Sequence, residues 1–392
     1  MGTKRKVKTK GTASESRNPV AAAAPNTRRS VAPASDPHSA DVFEQLAVHR
    51  HEQVSYWYDP VSKYRGIIAI HNTSLGPALG GTRFWNYVSD AEALNDVIRL
   101  SRGMTYKAAV AGLNLGGGKA VIIGDPSINH REALFRSHGR HVESFAGRYI
   151  TAEDVGTSPG DMAFVHKETK HVVGLQGRSG DPSPVTAWGT FRGTQACAQF
   201  LWGQDDLAGK TMAVQGVGHV GYYLCKLFHE AGAKLIVSDV NADRVQRAVT
   251  EFGARAVPVD AIYGVKADVF APCALGAVVN DDTIKALRVA IVCGAANNQL
   301  AAERHGDLLE KRGIVYAPDY VANAGGLINV NAEIEGWTLQ KSHDKAGEIF
   351  HTVLRVLEIA KEQGIPSYLA ADRLAEERVA AAEKRRALPH RI

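Results

Sequence analysis

Residues 211–239 constrain the fold of this chain more than any other stretch. Thr211-Met-Ala-Val-Gln215 is a short apolar run of strand character that leads directly into Gly216-Val-Gly218-His-Val-Gly221. A helical segment follows to Ala231, and a second apolar run, Lys234-Leu-Ile-Val-Ser-Asp239, closes on an acid. Strand, glycine turn, helix, strand and acid in that order are the parts of a dinucleotide-binding βαβ unit. Gly216 permits the tight turn, Gly218 the approach of backbone to a pyrophosphate, and Gly221 the close packing of the helix. The helix N-terminus, with Val217, His219 and Val220, would turn free N–H groups and a positive dipole end toward phosphates. Asp239 stands where a carboxylate meets the ribose hydroxyls; its charge should repel a 2′-phosphate, so NAD is favoured over NADP. Strand candidates at 268–270, 289–293 and 313–316 would extend this sheet.

The rest of the chain bounds the problem. At 392 residues there is room for two or three domains with sizeable cores. The net charge of +5 is uneven: residues 1–40 hold eight Lys/Arg against Glu15 and Asp36, a balance of +6, so residues 41–392 carry −1. That basic tail is rich in Ala, Pro, Ser and Thr without apolar periodicity, and is expected to be disordered. Its Lys4-Arg-Lys-Val-Lys8 is a candidate nucleic-acid or targeting element, but a solvated extension is the favoured reading and a nucleic-acid partner is disfavoured. Four scattered cysteines without a Cys-x-x-Cys pair suggest neither a disulfide framework nor a zinc ribbon, and point to a reducing cytoplasm. No apolar run reaches the roughly 18 residues of a membrane span, so no membrane partner is expected.

Upstream, two lysines and an aspartate stand out: Lys107, Lys119 at the end of Gly116-Gly-Gly-Lys119, and Asp154 in Ala152-Glu-Asp154-Val-Gly-Thr157. Lysine serves either as a fixed cation for a carboxylate or, when desolvated, as a general base, and two lysines could divide those roles. Ser89-Asp-Ala-Glu92 reads as a capping box, and Leu94, Val97, Ile98 and Ser101 keep helical spacing, so a helix would carry Lys107 near its end. A strand from Lys119 to Gly124 would bring the second amine to the same cleft, with the glycine triplet letting backbone run close to a ligand. Two surface lysines are the alternative. Gly180-Asp-Pro-Ser-Pro184 suits a hinge, residues 186–201 read as a helix, and the apolar series from Ile349 to Ala360 reads as another. The pairs His49/His51 and His138/His141 lack further ligands and read as packed or solvated, so no metal is expected. The glycine triplet is not a P-loop, since Ala120 stands where a magnesium-binding hydroxyl belongs.

With those residues in view, the chain resembles the glutamate, leucine, phenylalanine and valine group of amino-acid dehydrogenases, most closely its leucine-using members. The likeness runs from about Glu52 to Trp337. It rests on Leu75-Gly-Pro-Ala-Leu-Gly-Gly-Thr-Arg83, Arg102-Gly-Met-Thr-Tyr-Lys-Ala-Ala109, Gly112-Leu-Asn-Leu-Gly-Gly-Gly-Lys119, Thr151-Ala-Glu-Asp-Val-Gly-Thr157, Pro184-Val-Thr-Ala187 and Pro318-Asp-Tyr-Val-Ala-Asn-Ala-Gly-Gly-Leu-Ile-Asn329.

The resemblance implies an α/β fold of two domains with a helical C-terminal segment. Residues 41–180 would bind substrate and carry catalysis, 181–328 would form a Rossmann NAD-binding domain, and 329–392 would pack back on the first. Lys107, with the backbone of Gly80 and Gly81, would take the substrate carboxylate. Lys119 would be the general base and Asp154 the proton-transferring carboxylate, while Thr186 and Asn297 would lie near the nicotinamide. The reaction implied is reversible oxidative deamination of a branched-chain L-amino acid to a 2-oxo acid and ammonium in a homo-oligomer. Ala152 and Leu327 bear on side-chain choice, with phenylalanine or tryptophan as alternatives. A catalytically silent NAD-binding amino-acid sensor is the alternative outside enzymology.

Overall fold

The computed structural model describes residues 42–175 and 180–387. The basic tail and its expected disorder lie outside the described residues. Two sheets organise the described chain.

The first contains β1 (Gln53–Asp59), β2 (Tyr64–Asn72), β3 (Ala78–Trp85), β4 (Gly116–Ile123) and β5 (Tyr149–Glu153), in the order β1-β2-β4-β3-β5. β1 and β4 run antiparallel to β2, while β3 runs parallel to β4 and β5. β2 and β4 read almost wholly apolar because both faces are covered, and they are buried nearly throughout. The second sheet contains β6 (Thr211–Gln215), β7 (Lys234–Ser238), β8 (Arg255–Ala256), β9 (Val269–Pro272), β10 (Ile291–Val292) and β11 (Val315–Tyr316). It is parallel throughout, in the order β11-β10-β9-β6-β7-β8. The order reverses beside β6, and that switch point is where open parallel sheets bind nucleotides.

The helices are α1 (Val42–His49), α2 (Asp90–Val110), α3 (Glu132–Glu143), α4 (Pro159–His166), α5 (Ser183–Trp202), α6 (His219–Glu230) and α7 (Ala242–Phe252). After them come α8 (Thr283–Ala286), α9 (Arg304–Lys311), α10 (Asp319–Ala322), α11 (Gly325–Glu335), α12 (Leu339–Gly347), α13 (Ile349–Gln363) and α14 (Ser367–Ala387). None of the helices among the described residues is long and apolar enough to cross a membrane.

Several local expectations meet a different geometry. Ser89 caps α2 by accepting from Glu92 N at 3.1 Å, but the Glu92 carboxylate reaches past the cap to Val88 N at 2.7 Å, so the box is half formed. α5 begins at Ser183 rather than at residue 186, because Pro184 falls in its first turn, where a missing N–H costs nothing. The glycine triplet does not form a loop: Gly116, Gly117 and Gly118 lie inside β4. A Cβ on Gly117 would stand 2.1 Å from Thr105 N, and one on Gly118 would stand 2.7 Å from the Tyr149 ring. Gly117 and Gly118 thus admit the backbone of α2 and the side chain of β5.

α14 returns to the first sheet and lies along α2. Tyr106 donates to Glu376 at 2.6 Å, Arg378 donates to Ala109 O at 2.7 Å, and Asn72 donates to Glu383 at 2.9 Å. Of the paired histidines, His49 is exposed and His51, His138 and His141 are buried. His138 and His141 are buried and share the Tyr64 hydroxyl, while His138 also meets Thr82 at 2.7 Å. Burial holds both imidazoles neutral, pushing each down to about 3. Among the described residues no group of His, Cys, Asp and Glu is arranged to hold a metal ion.

Candidate active site

Three strands of the first sheet and the end of one helix deliver the polar groups of the cleft. Lys119 sits mid-strand on β4, where it is 6 % exposed. Asp154 directly follows β5, and its carboxylate forms an ion pair with the Lys119 amine. The pairing follows from register. β3 separates β4 from β5, and its Gly80-Gly81 pair lets all three strands converge. A Cβ on Gly80 would meet Gly118 O at 1.7 Å, and one on Gly81 would press on Glu153 O at 2.5 Å and Asp154 Cβ at 2.9 Å. Tyr149 donates to Gly80 O at 2.6 Å and so holds that stretch of backbone in place.

Asp154 is steadied by its own loop: its backbone N–H donates to Thr157 Oγ1 at 2.8 Å, and that hydroxyl reaches back to Thr82 O. Burial raises the affinity of Asp154 for a proton. That effect is outweighed only by the Lys119 charge and hydrogen bond, the Val155 N–H and the Arg83 charge acting together, so the carboxyl titrates below its ordinary range.

Lys107 lies in the last turn of α2 and reaches the second half of the molecule, donating to Asn323 Oδ1 at 2.6 Å. Asn323, which caps α10, donates in turn to Asn297 Oδ1 at 2.8 Å and to Ala295 O at 3.1 Å. Desolvation lowers the Lys107 amine to about 8, opposed by the Asp319 carboxylate and reinforced by the Lys119 charge. Both lysines and Asp154 therefore face one region, with Asn297 joined to Lys107 through Asn323. Asn323 lies in the motif at 318–329, but no pattern in the sequence shows that it meets Lys107.

Thr186 is buried in the first turn of α5, its hydroxyl donating to Pro182 O at 2.9 Å. It packs on the N-terminus of α11, where a Cβ on Gly325 would fall 2.3 Å from Val185 O. Ala152 on β5 and Leu327 on α11 belong to one continuous apolar cluster that also contains Leu75, Leu79, Met104 and Val185.

The glycine turn has the shape a dinucleotide needs. Gly216 adopts φ +90°, and a Cβ on Gly221 would lie 2.0 Å from Gly216 O, a collision of backbone that nothing can relieve. Gly218 is the N-cap of α6, whose first turn holds His219, Val220 and Gly221. Beside it is a groove of about 300 Å³ lined by Gly216, Gly218, Ser238, Asp239, Arg244 and Ala274, among others. Asp239 accepts from Val217 N and Asn241 N, both at 2.8 Å, which fixes its carboxylate at the wall of the groove. Val217 N is therefore not a free donor as the sequence suggested; the first turn of α6, the close approach and the groove fit a dinucleotide. Arg244, which no sequence pattern singles out, shares that wall.

A parallel nucleotide-binding sheet facing a cleft of two amines and a carboxylate defines a nicotinamide-dependent dehydrogenase. Comparison with known proteins narrows the class. The model of the Glu/Leu/Phe/Val dehydrogenase dimerisation domain matches residues 48–171, and that of Glutamate/Leucine/Phenylalanine/Valine dehydrogenase matches residues 177–243 and 238–387. The leucine dehydrogenase of Thermoactinomyces intermedius is 56 % identical over 348 residues, covering 88 % of this chain and 95 % of that protein. The L-tryptophan dehydrogenase of Nostoc punctiforme is 47 % identical over 339 residues, covering 86 % and 96 %. The crystal structure of L-tryptophan dehydrogenase from Nostoc punctiforme superposes with a TM-score of 0.82 at 45 % identity, over 88 % of this chain and 100 % of that one. The chain belongs to the Glu/Leu/Phe/Val dehydrogenase family and is an amino-acid dehydrogenase.

Proposed function

We propose that this enzyme catalyses the reversible, NAD-dependent oxidative deamination of L-leucine, and of valine and isoleucine, to the 2-oxo acid and ammonium. The observation that carries the reading is the convergence of Lys107, Lys119 and Asp154. Apolar residues at Ala152 and Leu327 suit an aliphatic side chain, and the leucine dehydrogenases at 53–56 % identity support that choice over the tryptophan enzyme at 47 %.

The residues divide the work by charge. Lys107 is placed to pair with the substrate carboxylate, sharing it with the backbone at Gly80 and Gly81 and exchanging its bond to Asn323 Oδ1 in doing so. A bound nicotinamide would supply a hydride acceptor for the substrate Cα, and Thr186 and Asn297 would border it. Lys119 activates a water that attacks the resulting iminium carbon, taking up the proton of that water at Nζ. Asp154 relays that proton from Lys119 Nζ to the nitrogen of the carbinolamine, and Lys119 takes the hydroxyl proton as the C–N bond breaks, the carbonyl forms and ammonia leaves. The Asp239 carboxylate at the groove wall supports NAD over NADP.

Residues 41–180 would then be the substrate and catalytic part, 181–328 the cofactor part, and 329–392 the returning helices, a division supported by the two sheets and by the packing of α14 on α2. Assembly with copies of itself is supported by the matched dimerisation domain. Four unpaired cysteines support a reducing, cytoplasmic setting.

The test is NADH formation from leucine, valine, isoleucine, phenylalanine, tryptophan and glutamate, repeated with NADP. The expected result is a kcat/KM highest for leucine with NAD, abolished in Lys119→Ala. Turnover confined to the aromatic substrates, or to NADP, would overturn the reading.

A further inference from the structure

Beyond Gly80-Gly81, β3 continues to Arg83, a residue with no role in the deamination steps themselves. The register pairs Thr82 with Glu153, and Phe84 N donates to Val155 O at 2.9 Å, so Arg83 lies alongside Asp154. Its Nε is 3.8 Å from Asp154 Oδ2. That N–H is buried and makes no hydrogen bond. The other edge of the guanidinium is anchored: Nη1 donates to Asp96 Oδ2 at 2.7 Å. Asp96, on α2, is itself held by the Tyr87 hydroxyl at 2.7 Å and by Arg99 at 2.9 Å. One end of Arg83 is thus fixed through Asp96 and its partners, while the other presents an unspent N–H to the site.

We propose that Arg83 is a positioning residue that holds the Asp154 carboxylate aimed and favours its return to the ionised form after each proton transfer, whatever the charge on Lys119. The inference rests on the reading of Asp154 as the proton carrier. Its physical basis is an asymmetry between the two neighbouring cations. Lys119 must lose its proton to act as a base, and on doing so it ceases to be a counterion for Asp154. A guanidinium does not titrate in proteins, so Arg83 supplies a constant positive charge whichever state Lys119 is in. Arg83 is in turn balanced by Asp96, so the charge it presents is localised and its geometry does not depend on substrate. The other groups that bear on Asp154 are Glu153 beside it, the buried Tyr149 hydroxyl of β5 and the Thr157 hydroxyl of its own loop. None of them is a cation.

The consequence is a pH signature. Removing a fixed positive charge beside Asp154 raises the affinity of its carboxylate for a proton. In Arg83→Gln the acidic limb of the kcat profile for leucine deamination should move to higher pH by up to about one unit, the low end of the range for loss of an opposite charge, because Asp96 already balances the guanidinium. In Arg83→Lys, which keeps the charge, the limb should stay near its original position. Binding of NADH, followed by fluorescence, reports that the variants are folded. Asp154→Asn is the companion variant. An Arg83→Gln enzyme slowed equally at every pH, or one with the original limb, while Asp154→Asn is inactive, would overturn the assignment of Arg83 alone. An Asp154→Asn enzyme that keeps full turnover would take down the reading of Asp154 and this inference with it.

Discussion

Lys107 and Lys119 are chemically identical side chains with different surroundings, and those surroundings decide what each can do. Lys107 is desolvated, tied to Asn323 Oδ1, and lowered to about 8. It is therefore cationic below about pH 8 and loses that charge as pH rises through its own titration, which weakens any carboxylate held by it. A bound carboxylate favours the charged form and pulls the titration upward again. The prediction is that affinity of the NADH-loaded enzyme for the 2-oxo acid, measured without ammonium, falls as pH passes about 8, and that binding near that pH is accompanied by proton uptake in calorimetry. Lys107→Gln should bind weakly at all pH values and take up no proton. A pH-independent affinity in the wild-type enzyme would show that another group holds the carboxylate. At this scale the sequence singled out Lys107, Lys119 and Asp154, and the structure pairs Lys119 with Asp154 and brings the Lys107 amine within reach of the Lys119 charge. It could not mark Asn323 or Arg83, whose importance comes from partners distant along the chain: Asn323 meets an amine on α2, and Arg83 meets a carboxylate that follows the neighbouring strand.

Among the elements, periodicity located helices and central strands because burial of one face or both leaves a pattern in the side chains. α13 buries Ile349, Val353, Val356, Leu357 and Ile359, the series the sequence displays. Glycine was harder to interpret, because it leaves the same mark whether the close neighbour is a ligand or the protein itself. In Gly116-Gly-Gly the neighbours include α2 and Tyr149; in Gly221 the neighbour is the Gly216 carbonyl of the phosphate-binding turn. A methyl group at position 221 must displace backbone. Gly221→Ala should therefore weaken NADH binding by more than about tenfold and cost about 1–3 kcal/mol of stability, the range for overpacking a tight contact. Fluorescence titration and thermal denaturation measure the two effects, and an alanine variant that binds NADH normally would contradict the contact. Strands β10 and β11 are two residues each, shorter than the apolar runs that suggested them, because only Ile291–Val292 and Val315–Tyr316 pair with their neighbours.

For the molecule as a whole, the cleft is assembled from β3, β4, β5 and α2 on one side and from the β10–α10 connection and α11 on the other. α14 and α13 lock the halves by packing on α2 and α5 respectively. Among the described residues, none before residue 48 contributes a side chain to this cleft, and the family match likewise begins at residue 48. Removing residues 1–40 should leave kcat/KM for leucine and the affinity for NADH unchanged, a result steady-state kinetics can check directly. A loss of turnover would give the basic tail a part in catalysis or assembly.

The local order of strand, glycine turn, helix and acid was enough to specify a dinucleotide sheet, because that unit is built from neighbours in the chain and each residue type answers a local steric or dipolar demand. The pairing of Lys119 with Asp154, the reach of Lys107 to Asn323 and the guanidinium beside the carboxylate were decided only when β3 inserted between β4 and β5 and the second sheet closed on the first. Those contacts depend on distances between segments far apart in sequence, and Coulomb energies and desolvation follow distance and burial, which no linear pattern encodes.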